Sequence, residues 1–275
     1  MTGTRKANTL IASRSLNLAM SAIKEMSILS AKIPGAASLA WGLPSFRTPA
    51  PIREAVARAL EQDPKIGMYA LPGGLPELRD SVAEEHHRRT GISVDPDRHV
   101  TITAGNMEGL NSLFQVLVEP GDEVIVTDPG FVSHISQIRF CGGTPVFWPM
   151  QEDQGWKLDI DALEPLIGPR TKGIVLVSPS NPTGRILDEE TLCRVADIAR
   201  RRSVMIIIDD PYSHFTYESR AKFFNLASVP EFSENLVYLF TFSKAYAMSG
   251  WRVGYMIAPE VIRKEIVKVH DLTMI

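Results

Sequence analysis

Val204-Met205-Ile206-Ile207-Ile208-Asp209-Asp210-Pro211-Tyr212 is the stretch that decides the fold. Its first five residues are apolar without a break, whereas a strand exposed on one face would alternate. Burial on both faces is the mark of a largely parallel sheet lying between two layers of helices. The run ends on two acids and a proline, which stop the strand and turn the chain. Ligands of such sheets sit outside the carboxyl ends of the strands. The polar residues at each strand end are therefore the first functional candidates.

Outward from this run, β-rich and helical stretches alternate. Strands are expected at residues 100–103, 123–127, 144–148, 173–178, 204–209, 236–242 and 252–258. Helical patterns cover residues 51–60, 77–90, 109–118, 132–140, 160–166, 189–202 and 261–273. Another helix is expected over residues 15–32, with Leu16, Met20, Ile23 and Met26 on one face. The fold class is α/β, a three-layer architecture with a mostly parallel sheet between helices.

Composition narrows the function. The chain has 275 residues, 44% hydrophobic and 22% charged, enough for one large domain and part of another. A net charge of -3 leaves no polyanion-binding footprint, which argues against nucleic acid. The basic triplet Arg200-Arg201-Arg202 falls at a helix end, where cations suit the macrodipole. Cys141 and Cys193 are far apart and lack metal-ligand spacing, so a reducing, cytoplasmic setting and no metal site are expected. No apolar run approaches membrane-spanning length. Residues 1–24 carry Arg5, Lys6, Arg14 and Lys24 and no acid. They read as a basic arm leading into the first helix, with an organelle transit peptide as the alternative.

The strand ends offer a distinctive set of groups. They are Gly105-Asn106-Met107, Asp128-Pro129-Gly130-Phe131, Ser178-Pro179-Ser180-Asn181, Asp209 to Tyr212, and Thr241 to Lys244. A backbone turn, an aromatic, an amide, an acid with a phenol, and an amine suit a planar, phosphorylated, cationic heterocycle. Lys244 has aromatic and apolar flanks, so its ammonium is expected to be partly desolvated and its pKa lowered. Such an amine is suited to Schiff-base chemistry.

Five motifs now stand in order: Trp41-Gly42-Leu43-Pro44-Ser45-Phe46, Tyr69 ahead of Gly74, Asn181-Pro182-Thr183-Gly184, Asp209-x-x-Tyr212, and Thr241 through Arg252. Together they resemble the class I/II aminotransferases among fold-type I pyridoxal 5′-phosphate enzymes, with matching segments running to Gly254. The resemblance implies that Lys244 holds the cofactor as a Schiff base and then moves a proton as a base. It implies that Asp209 faces the pyridine nitrogen, that Asn181 and Tyr212 bond the phenolic oxygen, and that Phe131 stacks on the ring. The phosphate would be met by the Gly105 turn, the N–H groups of Asn106 and Met107, Arg252, and a hydroxyl of Ser243 or Thr241. Tyr69 would reach the phosphate of a neighbouring subunit, which implies a homodimer, and Gly42 would lie beside the substrate carboxylate. His134 is expected to line the pocket in a structural role.

The resemblance also sets the organisation. Residues 1–45 would be an N-terminal arm and helix forming part of a small domain, 46–258 the large cofactor-binding domain, and 259–275 the start of a helix leading to the rest of the small domain. The implied function is transfer of an amino group from an L-amino acid to a 2-oxo acid. Alternatives are a lyase or synthase of the same fold, or a truncated non-catalytic cofactor-binding remnant. The chain departs from the family pattern in three places. Thr241 stands where serine is commoner, Asn106 where a small residue is usual, and the arginine that grips the substrate α-carboxylate is not among the 275 residues. Since the last helical pattern also lacks a stop signal, the chain is expected to be a fragment of a longer product.

Overall fold

The computed structural model describes residues 10–18, 20–37, 39, 42–217 and 223–274. Arg5 and Lys6 of the basic arm, and Trp41 of the first motif, lie outside the described residues. The centre is an eight-stranded sheet in the order β1-β8-β7-β6-β5-β2-β3-β4, counted among the described residues. Its strands are β1 (Val100–Thr103), β2 (Glu123–Asp128), β3 (Thr144–Gln151), β4 (Lys157–Leu158), β5 (Thr171–Val177), β6 (Met205–Asp210), β7 (Leu236–Thr241) and β8 (Gly254–Ile257). The inner pairings β3·β2, β2·β5, β5·β6 and β6·β7 are parallel, while β7·β8, β8·β1 and β3·β4 are antiparallel. The sheet is therefore mostly parallel, with antiparallel margins.

Helices cover both faces. They are α1 (Ser13–Leu16), α2 (Ala22–Ser30), α3 (Ala50–Gln62), α4 (Pro76–Thr90), α5 (Pro96–His99), α6 (Asn106–Leu117), α7 (Val132–Phe140), α8 (Glu189–Arg201) and α9 (Glu260–Met274). The apolar run on β6 shows how the layers form. Ile207 joins Val237, Leu239, Leu113 and Ile266 in one buried cluster, beneath α6 and α9. Ile206 and Ile208 join Tyr238, Phe240, Leu192 and Val195 in the other, beneath α8. The pleat sends alternate residues to opposite faces, so an unbroken apolar strand feeds two cores. Truncating Ile207 to alanine would cost about 2–5 kcal/mol by the cavity it leaves.

α8 illustrates why helices start where they do. The Asp188 side chain accepts the Thr191 N–H at 2.9 Å. Glu189 and Glu190 fill the first turn, and Arg200 and Arg201 the last. Cap and charges both complement the helix dipole.

Three expectations need correction. The single helix over residues 15–32 is two helices, α1 and α2, with the second starting after Ser21 at its N-cap. Neither contains a buried residue, so no core holds the two as one rod. Residues 160–166 form two 3₁₀ turns, Ile160–Ala162 and Glu164–Leu166, because Pro165 cannot continue an α-helical ladder. The strand expected from residue 252 begins at Gly254, since Arg252 takes the left-handed region at φ +56°. Among the described residues no helix is long and apolar enough to cross a membrane.

Candidate active site

β6 delivers Asp209 to the carboxyl edge of the sheet, where it is 5% exposed and lines an inner cavity of about 460 Å³. Its Oδ1 accepts Asn106 Nδ2 at 2.6 Å, and its Oδ2 lies 2.9 Å from His134 Nε2, which donates when that nitrogen carries the proton. Two donors from α6 and α7 therefore aim one carboxylate. The Phe131 ring meets that of His134 edge-on, with centroids 5.3 Å apart.

Lys244, Asn181, Tyr212, Phe131 and Arg252 line the same cavity as Asp209. Asn106, Met107, Thr241 and Ser243 line it too. Asn181 Nδ2 donates to the Tyr212 hydroxyl oxygen at 3.5 Å. Burial, and then the charge of Asp209, push the Tyr212 phenol above its ordinary range, against the bond from Asn181. Lys244 Nζ donates to the Gly42 carbonyl at 2.9 Å. Burial and then Arg252 lower the Lys244 amine from the ordinary lysine range, so neutral amine is easier to form.

Arg252 is fixed by the groups around it. Nη1 donates to the Ser249 carbonyl at 2.9 Å and to Ser243 Oγ at 3.5 Å, and Nη2 donates to the Ala104 carbonyl at 3.2 Å. Gly105, at φ +73°, is the left-handed N-cap of α6 beneath that guanidinium. The backbone conformation favours glycine there, and a Cβ built on Gly105 would push the Arg252 guanidinium from its seat. The Thr241 hydroxyl donates to Ser243 Oγ at 2.8 Å, and the Ser243 N–H donates to Thr241 Oγ1 at 3.2 Å.

An outer cavity of about 760 Å³ shares Lys24, Phe131, Asn181, Tyr212 and Lys244 with the inner one, and Gly42 lines it. Gly105 lies under Arg252 without lining either cavity. Tyr69 is 87% exposed and lines neither. Two features were not foreseen from sequence. His134, expected to line the pocket in a structural role, lines neither cavity and instead bonds Asp209. Lys24, from α2, lines both cavities, and no spacing pointed to it.

The site suits a planar phosphorylated ring. Its volume lies in the range of small-ligand pockets, roughly 300–1,000 Å³. The donors Arg252, Ser243 and the first N–H groups of α6 gather around the Gly105 turn, as an anionic group requires. A fold of this kind with an amine, an acid and a glycine turn opening a helix at its strand ends defines the class, and comparison with known proteins specifies it.

The chain belongs to the class I and II aminotransferase family, whose model matches residues 36–274. Members of that family use pyridoxal 5′-phosphate. The chain is 38% identical to the aspartate aminotransferase of Pyrococcus horikoshii over 265 residues, covering 96% of this chain and 66% of that protein. It is 39% identical to a probable aspartate/prephenate aminotransferase of Thermus aquaticus over 234 residues, covering 85% of this chain and 59% of that protein. The structure of aspartate aminotransferase from Thermus thermophilus with maleate superposes with a TM-score of 0.90 at 33% identity, covering 96% of this chain and 68% of that one. The chain thus spans less than two thirds of the length of these two curated relatives.

Proposed function

We propose that this protein is a pyridoxal-phosphate-dependent aminotransferase that moves an amino group from an L-amino acid to a 2-oxo acid. One observation carries the reading. An amine of lowered pKa, an acid held by two bonds, a phenol, an amide and a guanidinium open on a single cavity.

When bound, the cofactor supplies an aldehyde that takes an amine covalently and a ring that draws electrons from the bonded carbon. Lys244 Nζ would hold that aldehyde, and as a neutral amine it would serve as the base that moves a proton at the substrate α-carbon. Both tasks need neutral amine, which burial beside Arg252 favours. Asp209 would keep a proton on the ring nitrogen, and the bonds from Asn106 and His134 hold its carboxylate in place for that task. Asn181 and Tyr212 would hold the phenolic oxygen, and Phe131 would supply an aromatic face to the ring. Gly105, Asn106, Met107, Thr241, Ser243 and Arg252 take the phosphate, with Arg252 offering its two-pronged fork. Gly42 belongs beside the substrate carboxylate, and Lys24 brings a cation to the same cavity mouth.

The partners that follow are small amino and 2-oxo acids and a second copy of this chain, whose site the exposed Tyr69 completes. Residues 1–45 are read as part of a small domain, 46–258 as the large domain, and 259–275 as the start of a helix leading out of it. The two unpaired cysteines support a reducing, cytoplasmic setting.

Single-turnover mixing of the cofactor-loaded protein with L-aspartate tests the reading, because similar proteins carry aspartate in their names. The expected result is loss of the visible absorbance with release of oxaloacetate, reversed by adding a 2-oxo acid. If the cofactor binds but no proteinogenic L-amino acid yields its oxo acid, the aminotransferase reading falls and a binding role takes its place.

A further inference from the structure

Glu108 stands on the first turn of α6, three residues beyond Gly105, and lines neither cavity. Its carboxylate is nevertheless held from three directions. Oε2 accepts the Ala104 N–H at 3.1 Å, Oε1 accepts the Ser112 hydroxyl at 2.7 Å, and His270 Nδ1 lies 2.9 Å from Oε1. The Glu108 and His270 side chains are each only 10% exposed. Burial acts to raise the Glu108 carboxyl, but the bonds from His270 and Ser112 outweigh it and leave it lowered.

A glutamate at the third helical position that reaches back to a backbone N–H is an ordinary capping device. Two features go beyond a cap. Ala104, whose N–H Glu108 takes, also presents the carbonyl that accepts Arg252 Nη2 at 3.2 Å. The opposite side of Glu108 is held by His270 from α9, 162 residues further along the chain. A continuous series of bonds thus runs from α9 through Glu108 and Ala104 to the guanidinium in the inner cavity. Arg252 itself sits at φ +56°, a conformation costing a non-glycine residue about 1–3 kcal/mol, which persists only where surrounding contacts hold it. The Ala104 carbonyl is one of those contacts.

We propose that Glu108 is a positioning residue for phosphate recognition. It fixes Ala104, and through it the Gly105 turn and the seat of Arg252, while His270 makes α9 part of the support. The inference rests on the reading of Gly105, Asn106, Met107 and Arg252 as the phosphate cradle.

Equilibrium binding of pyridoxal 5′-phosphate and of pyridoxal, which lacks the phosphate, tests the proposal. It is measured on the wild-type protein and on the Glu108→Ala, Glu108→Gln and His270→Gln variants. Glu108→Ala should reduce the preference for the phosphorylated ligand about tenfold, as expected for a lost bond to a charged group. Pyridoxal affinity should hold within about twofold. Glu108→Gln, which keeps an acceptor oxygen for Ala104, should recover part of the preference, and His270→Gln should lose less than Glu108→Ala. If Glu108→Ala does not fold, His270→Gln on its separate helix decides the matter. An unchanged preference in the folded variants, or equal weakening of both ligands, overturns this proposal alone. A wild-type protein with no preference for the phosphorylated ligand overturns the cradle reading with it.

Discussion

Asp209 and Asp210 are consecutive acids at the end of β6, and the pleat of the strand sends them to opposite faces of the sheet. Asp209 faces the inner cavity, steadied by Asn106 and His134. Asp210 is fully buried on the other side. There it accepts from the Tyr238 hydroxyl and, at 2.8 Å, from the Ser213 N–H, with Arg89 Nη2 at 3.9 Å. The Arg89 guanidinium also lies over the Phe240 ring at 5.4 Å. Burial raises the Asp210 carboxyl despite its hydrogen bonds, and it lifts the Tyr238 phenol well above its ordinary range. Chemistry of the side chain does not distinguish these acids. Position on the pleat gives one an open cavity and the other a closed core.

The sharpest way to break that contrast is to remove each acid in turn. Asp209→Ala removes a pairing worth about 4 kcal/mol at ~4 Å and an effective dielectric of ~20. That corresponds to about a thousandfold in half-reaction rate. Its unfolding midpoint in urea should fall less than that of the Asp210 variant, because the Asn106 amide it orphans borders a cavity that water can enter. Asp210→Ala leaves the Tyr238 hydroxyl and the Ser213 N–H without their acceptor and takes the counter-charge from Arg89, and should cost about 3 kcal/mol of stability, read from the same urea curves. Its folded fraction should react at close to the normal rate. A slow, stable Asp210 variant beside a fast, unstable Asp209 variant would invert the assignment of the two acids.

His134→Phe probes the contrast from inside the site. It deletes one of the two bonds on the Asp209 carboxylate, a charged interaction worth about 1.5–3 kcal/mol. A rate loss of about ten- to a hundredfold is expected, with partial recovery in His134→Asn and little change in KM. Equal rates in the wild-type and His134→Phe proteins would show that Asn106 alone suffices.

A smaller effect is expected on the titration of Lys244. Burial and, after it, the Arg252 charge lower this amine in the folded chain. Arg252→Gln removes the second cause and leaves the first, so the midpoint should move upward without reaching that of an ordinary lysine. Acetylation of the Lys244 peptide as a function of pH measures it. A midpoint that stays or falls would show that the guanidinium charge does not act on the amine.

Much of the fold was legible because burial writes itself into sequence. Residues 100–103 and 132–140 have the boundaries that their patterns predict, and the unbroken apolar run of β6 indicated two covering layers. The N-terminal helix was misread because its apolar stripe has no core to face. The candidate site residues were legible as strand-end chemistry, but their mutual bonds were not. Asn106 was expected to offer its backbone, yet its side chain donates to Asp209 across 103 residues of sequence. His134 reaches the same acid across 75. Periodicity records which face of an element is buried; it does not record which distant polar group that face meets.

Borohydride reduction of the protein mixed with an equimolar amount of pyridoxal 5′-phosphate, followed by peptide mapping, tests the central claim most directly. Attachment through Lys244 predicts the added phosphopyridoxyl mass on the peptide containing that residue, and its disappearance in Lys244→Ala. Mass spread over other lysines with none on that peptide would contradict it.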